Sequence, residues 1–219
     1  MLKWLPGKTQ MEEHQIPQWL VWARKIDALA QAGLHYSDSE YDLDRYRQLK
    51  QVAAEIVSSH TSLTEAELLD HFTLAEGYST PKVDVRAAVI REGKLLMVRE
   101  RLDGGWTLPG GWVDIGDRPA NAAEREAFEE SGYKVRASRL VGVYDANRVG
   151  ELRYHHAFKL VFLCDLLGGE AASSYETTEV GWFGVEELPQ PYSGERTKLR
   201  HIEDAFAMAA DPGRPTVFD

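Results

Sequence analysis

Residues 108–133 read LPGGWVDIGDRPANAAEREAFEESGY. Pro119 suits the first turn of a helix and Gly132 suits a helix stop, so a short helix is predicted between them. On that helix Glu126, Glu129 and Glu130 fall at i, i+3 and i+4 and share one face. At a separation of ~5 Å and an effective dielectric of ~20, each close pair of carboxylates costs on the order of 3 kcal/mol. Water and salt relieve this on an open surface, and Arg125 can pair with Glu129 at i+4. A divalent cation reverses the sign. Hard cations such as Mg²⁺ take oxygen ligands and share them with substrate phosphates. A glutamate-bearing helix edge behind a Gly-rich loop therefore points to a Mg²⁺ site for diphosphate chemistry.

The stretch resembles the signature of the Nudix hydrolase family, G-x5-E-x7-R-E-U-x-E-E-x-G-U, where U is a bulky aliphatic residue. Gly111, Arg125, Glu126, Glu129, Glu130 and Gly132 stand at its fixed positions. Asp117 replaces the first Glu, Ala127 the aliphatic after R-E, and Tyr133 the last aliphatic. Asp117 is also a natural N-cap, so it reads as a ligand or as a structural residue. Ala127 should loosen helix packing while leaving the metal face intact.

The resemblance covers about residues 81–219. It implies an α/β/α sandwich with a mixed sheet, the motif forming a loop–helix–loop, and a pyrophosphate hydrolase working with Mg²⁺ (or Mn²⁺). It makes Glu126 and Glu130 the direct metal ligands, and Glu129 a third ligand or the partner that holds Arg125. A backbone carbonyl of the preceding loop, at Gly110, joins them. The general base in this family is a motif Glu or a Glu from a downstream loop. Here Glu176 and Glu179 are the candidates outside the motif, with a plain solvated turn as the other reading.

Composition sets outer bounds. The 219 residues suffice for one medium domain or two small ones, and 43% hydrophobic with 27% charged residues is ordinary for a globular chain. A net charge of −10 does not draw nucleic acid or anionic membrane by bulk charge. A phosphate-bearing substrate must then be held locally, by metal and a few basic residues. The lone Cys164, in LVFLCDLL, excludes an internal disulfide and reads as a buried strand residue. No apolar stretch approaches the ~20 residues of a membrane helix. The opening MLKWLPGKTQMEEHQIP lacks a signal-peptide core, so a cytoplasmic location is expected.

Residues 1–14 show no clear periodicity and are set apart, with Met11 read as an alternative start or the prefix as an extension. Residues 15–77 read as a helical domain. Trp19, Trp22, Ala23, Ile26, Leu29 and Ala30 recur at helical spacing, with Gly33 as a stop. A second helix is expected over Asp42–Ser58, with Leu43, Tyr46, Leu49, Val52, Ala53 and Ile56 on one side. Thr64-x-x-Glu67 resembles a capping box for a third helix carrying Leu68, Leu69 and Phe72, ended by Gly77. Their apolar face, rich in Trp and Tyr, needs a cover, from the rest of the chain or from a second copy, and a homodimer through these helices is expected. After a linker at Gly77–Pro81, residues 81–219 form an α/β domain. Strands are predicted from Val83 to Ile90, from Leu95, and over 134–145, 156–167 and 178–184. Gly168-Gly169 reads as a turn, and Leu199, Ile202, Phe206 and Ala209 mark a last helix.

Substrate contacts are sought beside the motif. Asp84 and Arg86 alternate with Val83 and Val85 and share one strand face. Arg86 would meet a phosphate or form a surface ion pair; Arg99 and Arg101 read the same two ways. Trp112 would stack on a base or pack its loop. Lys159, inside an apolar strand, would reach a phosphate or snorkel. His155 and His156 lack partners at zinc-like spacing. The helical N-terminal part and the stretches ETTEVGWFGVEELP and PTVFD resemble Nudix enzymes of X-linked nucleoside diphosphates, CDP-choline pyrophosphatases among them. CDP-choline and ADP-ribose lead as substrates. ADP-ribose enzymes often carry a proline some fifteen residues past the motif, and Gly142–Phe158 has none, which counts against ADP-ribose. An RNA-directed or cap-type hydrolase meets no basic stripe here. A non-catalytic nucleotide sensor has no need of three repelling carboxylates.

Overall fold

The computed structural model describes residues 17–73, 80–114, 116–146, 156–194 and 196–219. The extension at 1–14, the Phe72 side chain, the helix stop at Gly77, residues 77–79 of the linker and His155 lie outside the described residues.

Three helices come first: α1 (Gln18–Tyr36), α2 (Glu40–Ser58) and α3 (Glu65–Thr73). Their shared core is made of small residues, Ala23, Ala53 and Ala54, with Val57 and Leu68. A buried ion pair, Asp27 to Lys50 at 3.0 Å, ties α1 to α2. The capping box forms as expected: the Thr64 N–H donates to Glu67 Oε2 at 2.8 Å and the Glu67 N–H to Thr64 Oγ1 at 3.3 Å. Two expectations are corrected. Gly33 does not stop α1, which runs on to Tyr36. It lies under the Tyr46 ring of α2, where an added Cβ would come within 2.3 Å of ring carbons. On α2 the buried seam is Lys50, Ala53, Ala54 and Val57, while Leu49 and Val52 stay exposed. The apolar pattern offered a broad stripe, and close approach to α1 selects its small-residue side.

The remaining elements are β1 (Lys82–Arg91), β2 (Lys94–Glu100), β3 (Trp106–Thr107), α4 (Pro119–Ser131), β4 (Tyr133–Asp145), β5 (Ala157–Gly169), β6 (Thr177–Gly184), α5 (Leu199–Ala210) and β7 (Val217–Phe218). The sheet is mixed, in the order β3-β2-β1-β5-β4-β7, with β6 also on β2. β1 is buried along most of its length. Val85, Ala87 and Val89 lie under α4, which meets the sheet through Ala122, Ala123 and Ala127. Ala88 lies on the other side, under Ile202, Ala205 and Met208 of α5. The α/β/α sandwich is thus present. Ala127, expected to loosen the packing, is fully buried among Ala87, Val89 and Val135, where small residues let helix and sheet close up. Gly168 and Gly169 are not a turn but the paired end of β5, and a Cβ on Gly169 would come within 2.4 Å of the Gly132 carbonyl. The two-residue strands β3 and β7 were not anticipated, being too short to show a period.

The sheet splits where the motif sits. β1 and β2 pair only at Ile90↔Leu95 and Arg91↔Lys94. Past that point β2 pairs with β3 and β6. The edge that β1 leaves free is taken by residues 109–113: the Val85 N–H donates to Gly111 O and the Ala87 N–H to Pro109 O, both at 2.8 Å, and the Val113 N–H to Val83 O at 3.0 Å. Gly110 makes this possible, since its φ is +148° and a Cβ there would stand 2.0 Å from the Val85 carbonyl oxygen.

Asp84 and Arg86 do share a face, but not at the surface. Arg86 grips Asp84 through Nε (3.0 Å) and Nη2 (2.8 Å), and Lys159 Nζ from β5 donates to the same carboxylate at 2.9 Å. All three side chains are buried. Lys159 also donates to the Arg196 carbonyl at 2.8 Å, and Arg86 Nη1 to the Leu108 carbonyl at 3.2 Å. Burial alone would raise the Asp84 pKa; Arg86 and Lys159 outweigh it and bring the value down to about 2. The folded value is depressed, so the stabilisation is present above pH ~4 and is lost as pH falls toward 2.

Gly110→Ala should lower the unfolding free energy by about 2–4 kcal/mol in urea titrations, because the clash is with backbone; an unchanged midpoint would show that the loop does not lie on β1. Asp84→Asn leaves two buried cations without their counter-charge and should cost about 3–5 kcal/mol. In that variant the loss of stability between pH 4 and 2 should also flatten, read from thermal melting at each pH.

Candidate active site

Glu130 stands in the last turn of α4, 3% exposed, and its Oε2 accepts the Gly110 N–H at 2.9 Å. Burial pushes its pKa up to about 7; Arg86 and the Gly110 N–H pull it down, while Glu100 and Glu126 add to the rise. Glu126, one turn earlier, is also raised, first by burial and against the pull of Arg125. It faces Gly111, where a Cβ would stand 3.0 Å from its carboxyl group. The glycine pair thus serves two contacts: Gly110 crosses β1, and Gly111 leaves room for a carboxylate.

Glu129 is exposed and turned to Arg125, which it meets at 3.0 Å. Arg125 also bonds Glu126 at 2.8 Å and lies 3.4 Å from Asp117 and 3.6 Å from Asp114. One guanidinium therefore sits among four carboxylates and orients the helix edge. Asp117 is not the N-cap. Arg118 holds that position with no side-chain cap bond, and Asp117 points to Arg125 instead. Its shorter side chain already has a cation to meet.

Of the proposed ligands, the structure brings Glu126 and Glu130 to the Gly110-Gly111 loop, and Glu129 leans away. Among the described residues no three His, Cys, Asp or Glu side chains close a cage by themselves. Two carboxylates whose pKa values are raised by burial nevertheless fit a hard cation, which typically needs one or two carboxylates plus water and substrate oxygens.

The downstream turn reaches the same place. The Thr177 hydroxyl donates to the Glu130 carbonyl at 2.8 Å, and the Glu176 N–H donates to Ser174 Oγ at 3.1 Å. Glu176 is exposed there, and its charge acts on Glu100. Glu179 is paired with Arg99 at 2.6 Å. Arg101 is engaged with the turn: its Nε donates to the Tyr175 carbonyl and its own N–H to that of Glu176, both at 2.8 Å. Trp112 is 41% exposed with Lys82 Nζ 5.7 Å above its ring, so its ring is partly open. His156 lies 3.6 Å from Asp145. Sequence reading passed over Glu100 and Arg196. Glu100 ends β2, is 2% exposed and raised in pKa by burial, and its carboxylate lies 3.2 Å from Arg196. The only signal was one acid closing the apolar run LLMVRE.

Comparison with known proteins agrees with this geometry. A profile described as a UDP-X-like, N-terminal oligomerisation domain matches residues 17–72, and one for the NUDIX domain matches residues 80–205. YjhB of Bacillus subtilis (strain 168), provisionally named an ADP-ribose pyrophosphatase, is 36% identical over 203 residues, 92% of this chain and 97% of that protein. The crystal structure of a UDP-X diphosphatase superposes with a TM-score of 0.60 at 28% identity, covering 92% of this chain and 98% of the other. An ADP-ribose pyrophosphatase from Streptococcus suis 89-1591 gives a TM-score of 0.60 at 34% identity over 64% of this chain and all of its own. Members of this family work with divalent cations. Among the described residues no helix is long and apolar enough to cross a membrane. With a Nudix domain over more than half its length, the motif on α4, and a full-length relative at 36% identity, this chain belongs to the Nudix family and is a pyrophosphohydrolase.

Proposed function

We propose that this enzyme cuts the pyrophosphate of a nucleoside diphosphate linked to a second group, releasing two phosphorylated products, with Mg²⁺ or Mn²⁺ as its cation. The observation that carries the reading is Glu130, buried yet facing the Gly110-Gly111 loop with Glu126 beside it. Glu126, Glu130 and the Gly110 carbonyl would hold the cation. When bound, the cation supplies charge to phosphoryl oxygens and lowers the pKa of a bound water. Arg125 and Glu129 fix the Glu126 carboxylate in place. Glu176, delivered by a turn fastened to α4 and Arg101, takes the proton of the attacking water on its carboxylate. Trp112 offers a half-open ring face for a nucleobase. The buried Asp84–Arg86–Lys159 group supports the site without touching substrate, and the field of Arg86 favours ionised Glu130.

The names of the relatives support ADP-ribose and UDP-linked compounds as the class of substrate. CDP-choline stays in the set through the resemblance of the N-terminal part. We also propose a homodimer through the first helices. Trp22, Leu29 and Tyr36 of α1 are 56%, 69% and 72% exposed and recur every seven residues, so they form one uncovered stripe. The oligomerisation profile over the same residues supports this reading.

Product analysis with Mg²⁺ or Mn²⁺ on ADP-ribose, CDP-choline and a UDP-sugar should show one substrate split into a nucleoside monophosphate and a second phosphorylated product. Glu130→Gln should lower kcat at least about a hundredfold. No turnover on any of the three would overturn the reading. Light scattering should give twice the 24.7 kDa chain mass for the wild type and the single mass for Leu29→Glu; a monomeric wild type would remove the dimer.

A further inference from the structure

We infer that Arg196 is a phosphate-binding residue of this site, held on Glu100 until a diphosphate takes its guanidinium over; the inference rests on the hydrolase reading above. A substrate carrying two phosphates must meet positive charge beside a cluster of acids. Most cations there are already committed. Arg86 and Lys159 are buried on Asp84, and Arg125 is spread over four carboxylates. Arg99 is taken by Glu179 and the Gly104 carbonyl, and Arg101 by carbonyls of its turn.

Arg196 differs in two ways. Its backbone is fixed: its N–H donates to Ser193 O at 3.0 Å, its carbonyl accepts Lys159 Nζ at 2.8 Å, and the next hydroxyl, Thr197 Oγ1, accepts the Leu108 N–H at 2.9 Å. Its side chain is partly open, 26% exposed, and rests on Glu100 through one contact of 3.2 Å. That contact is an ion pair without hydrogen-bond alignment, and Glu100 Oε1 has no hydrogen-bond donor although it is buried. Glu100 ends β2 on the stretch that has parted from β1, and its charge interacts with Glu130 and Arg86, so the pair lies near the proposed cation ligands. A planar guanidinium on a fixed backbone, with one poorly aligned partner, suits transfer to a phosphate, which it can bind through two N–H groups. Glu100 then acts as the competitor for Arg196, and its negative charge opposes the incoming phosphates.

The test is steady-state kinetics on the substrate found in the product assay, with inorganic pyrophosphate and the parent nucleoside as inhibitors. Arg196→Ala should raise KM and the pyrophosphate Ki together by about ten- to a hundredfold, with little change in kcat or in nucleoside inhibition. Arg196→Lys, which keeps the charge and loses the fork, should raise both less. Glu100→Gln should lower KM, a change of opposite sign that a merely structural ion pair would not produce. An unchanged KM and Ki in Arg196→Ala would overturn the phosphate contact, and a raised KM in Glu100→Gln would overturn the holding role. If the wild type turns over none of the substrates, the hydrolase reading fails by itself. Calorimetric binding of Mg²⁺-pyrophosphate to wild type and Arg196→Ala then still decides for or against Arg196.

Discussion

One hydrogen bond organises this site: the Gly110 N–H to Glu130 Oε2 at 2.9 Å. It joins the last turn of α4 to a loop that lies along β1 as an extra strand. Each partner depends on it. The loop leaves the Gly110 N–H facing the helix because its neighbouring carbonyls, of Pro109 and Gly111, are used by β1. The carboxylate, buried and otherwise lacking a matched counter-ion, is a cost to the folded state. Strain and unpaired charge of this kind gather where chemistry is done.

The second constraint is the split of the sheet. A strand has two edges. β6 runs along β2 over its full length, so β1 and β3 must share the other edge. Arg86, Glu100, Glu130 and Arg196 come from different elements and interact beside this split. Leu108 ties these elements together: its N–H donates to Thr197 Oγ1 and its carbonyl accepts from Arg86 Nη1. The Asp84 group stiffens the floor by placing two cations on one buried carboxylate. Charge is thus sorted: Arg86 and Lys159 are held on Asp84 at the sheet, and Arg86 in turn pulls on Glu130. In a chain of net charge −10, that local sorting matters more for a phosphate ligand than the overall sign.

Much of this was legible before any coordinates. Strand period, helical spacing, the Thr64–Glu67 capping box and the glutamate triplet are local patterns, and each is realised within a few residues of its expected place. Misreadings came where a residue answers to something distant. Gly33 reads as a stop until the Tyr46 ring is found above it. Gly168-Gly169 reads as a turn until α4 is seen to end against it. Asp117 suits a cap until Arg125 offers a charge. Arg86 suits a surface pair, yet β5 supplies Lys159 and the pair is buried.

The amino-acid order by itself determined the motif on its helix, the strand order of magnitude in length and alternation, and the presence of a separate helical part, because these follow from backbone periodicity and from spacing of three or four residues. Only the tertiary structure decided which Glu is buried and which leans outward, that Thr177 is fastened to the end of α4 while Glu179 pairs with Arg99, and that Glu100 meets Arg196. Burial, pKa and partner choice depend on groups 20 to 96 positions apart along the chain, such as Gly110 with Glu130 and Glu100 with Arg196. No local pattern encodes them.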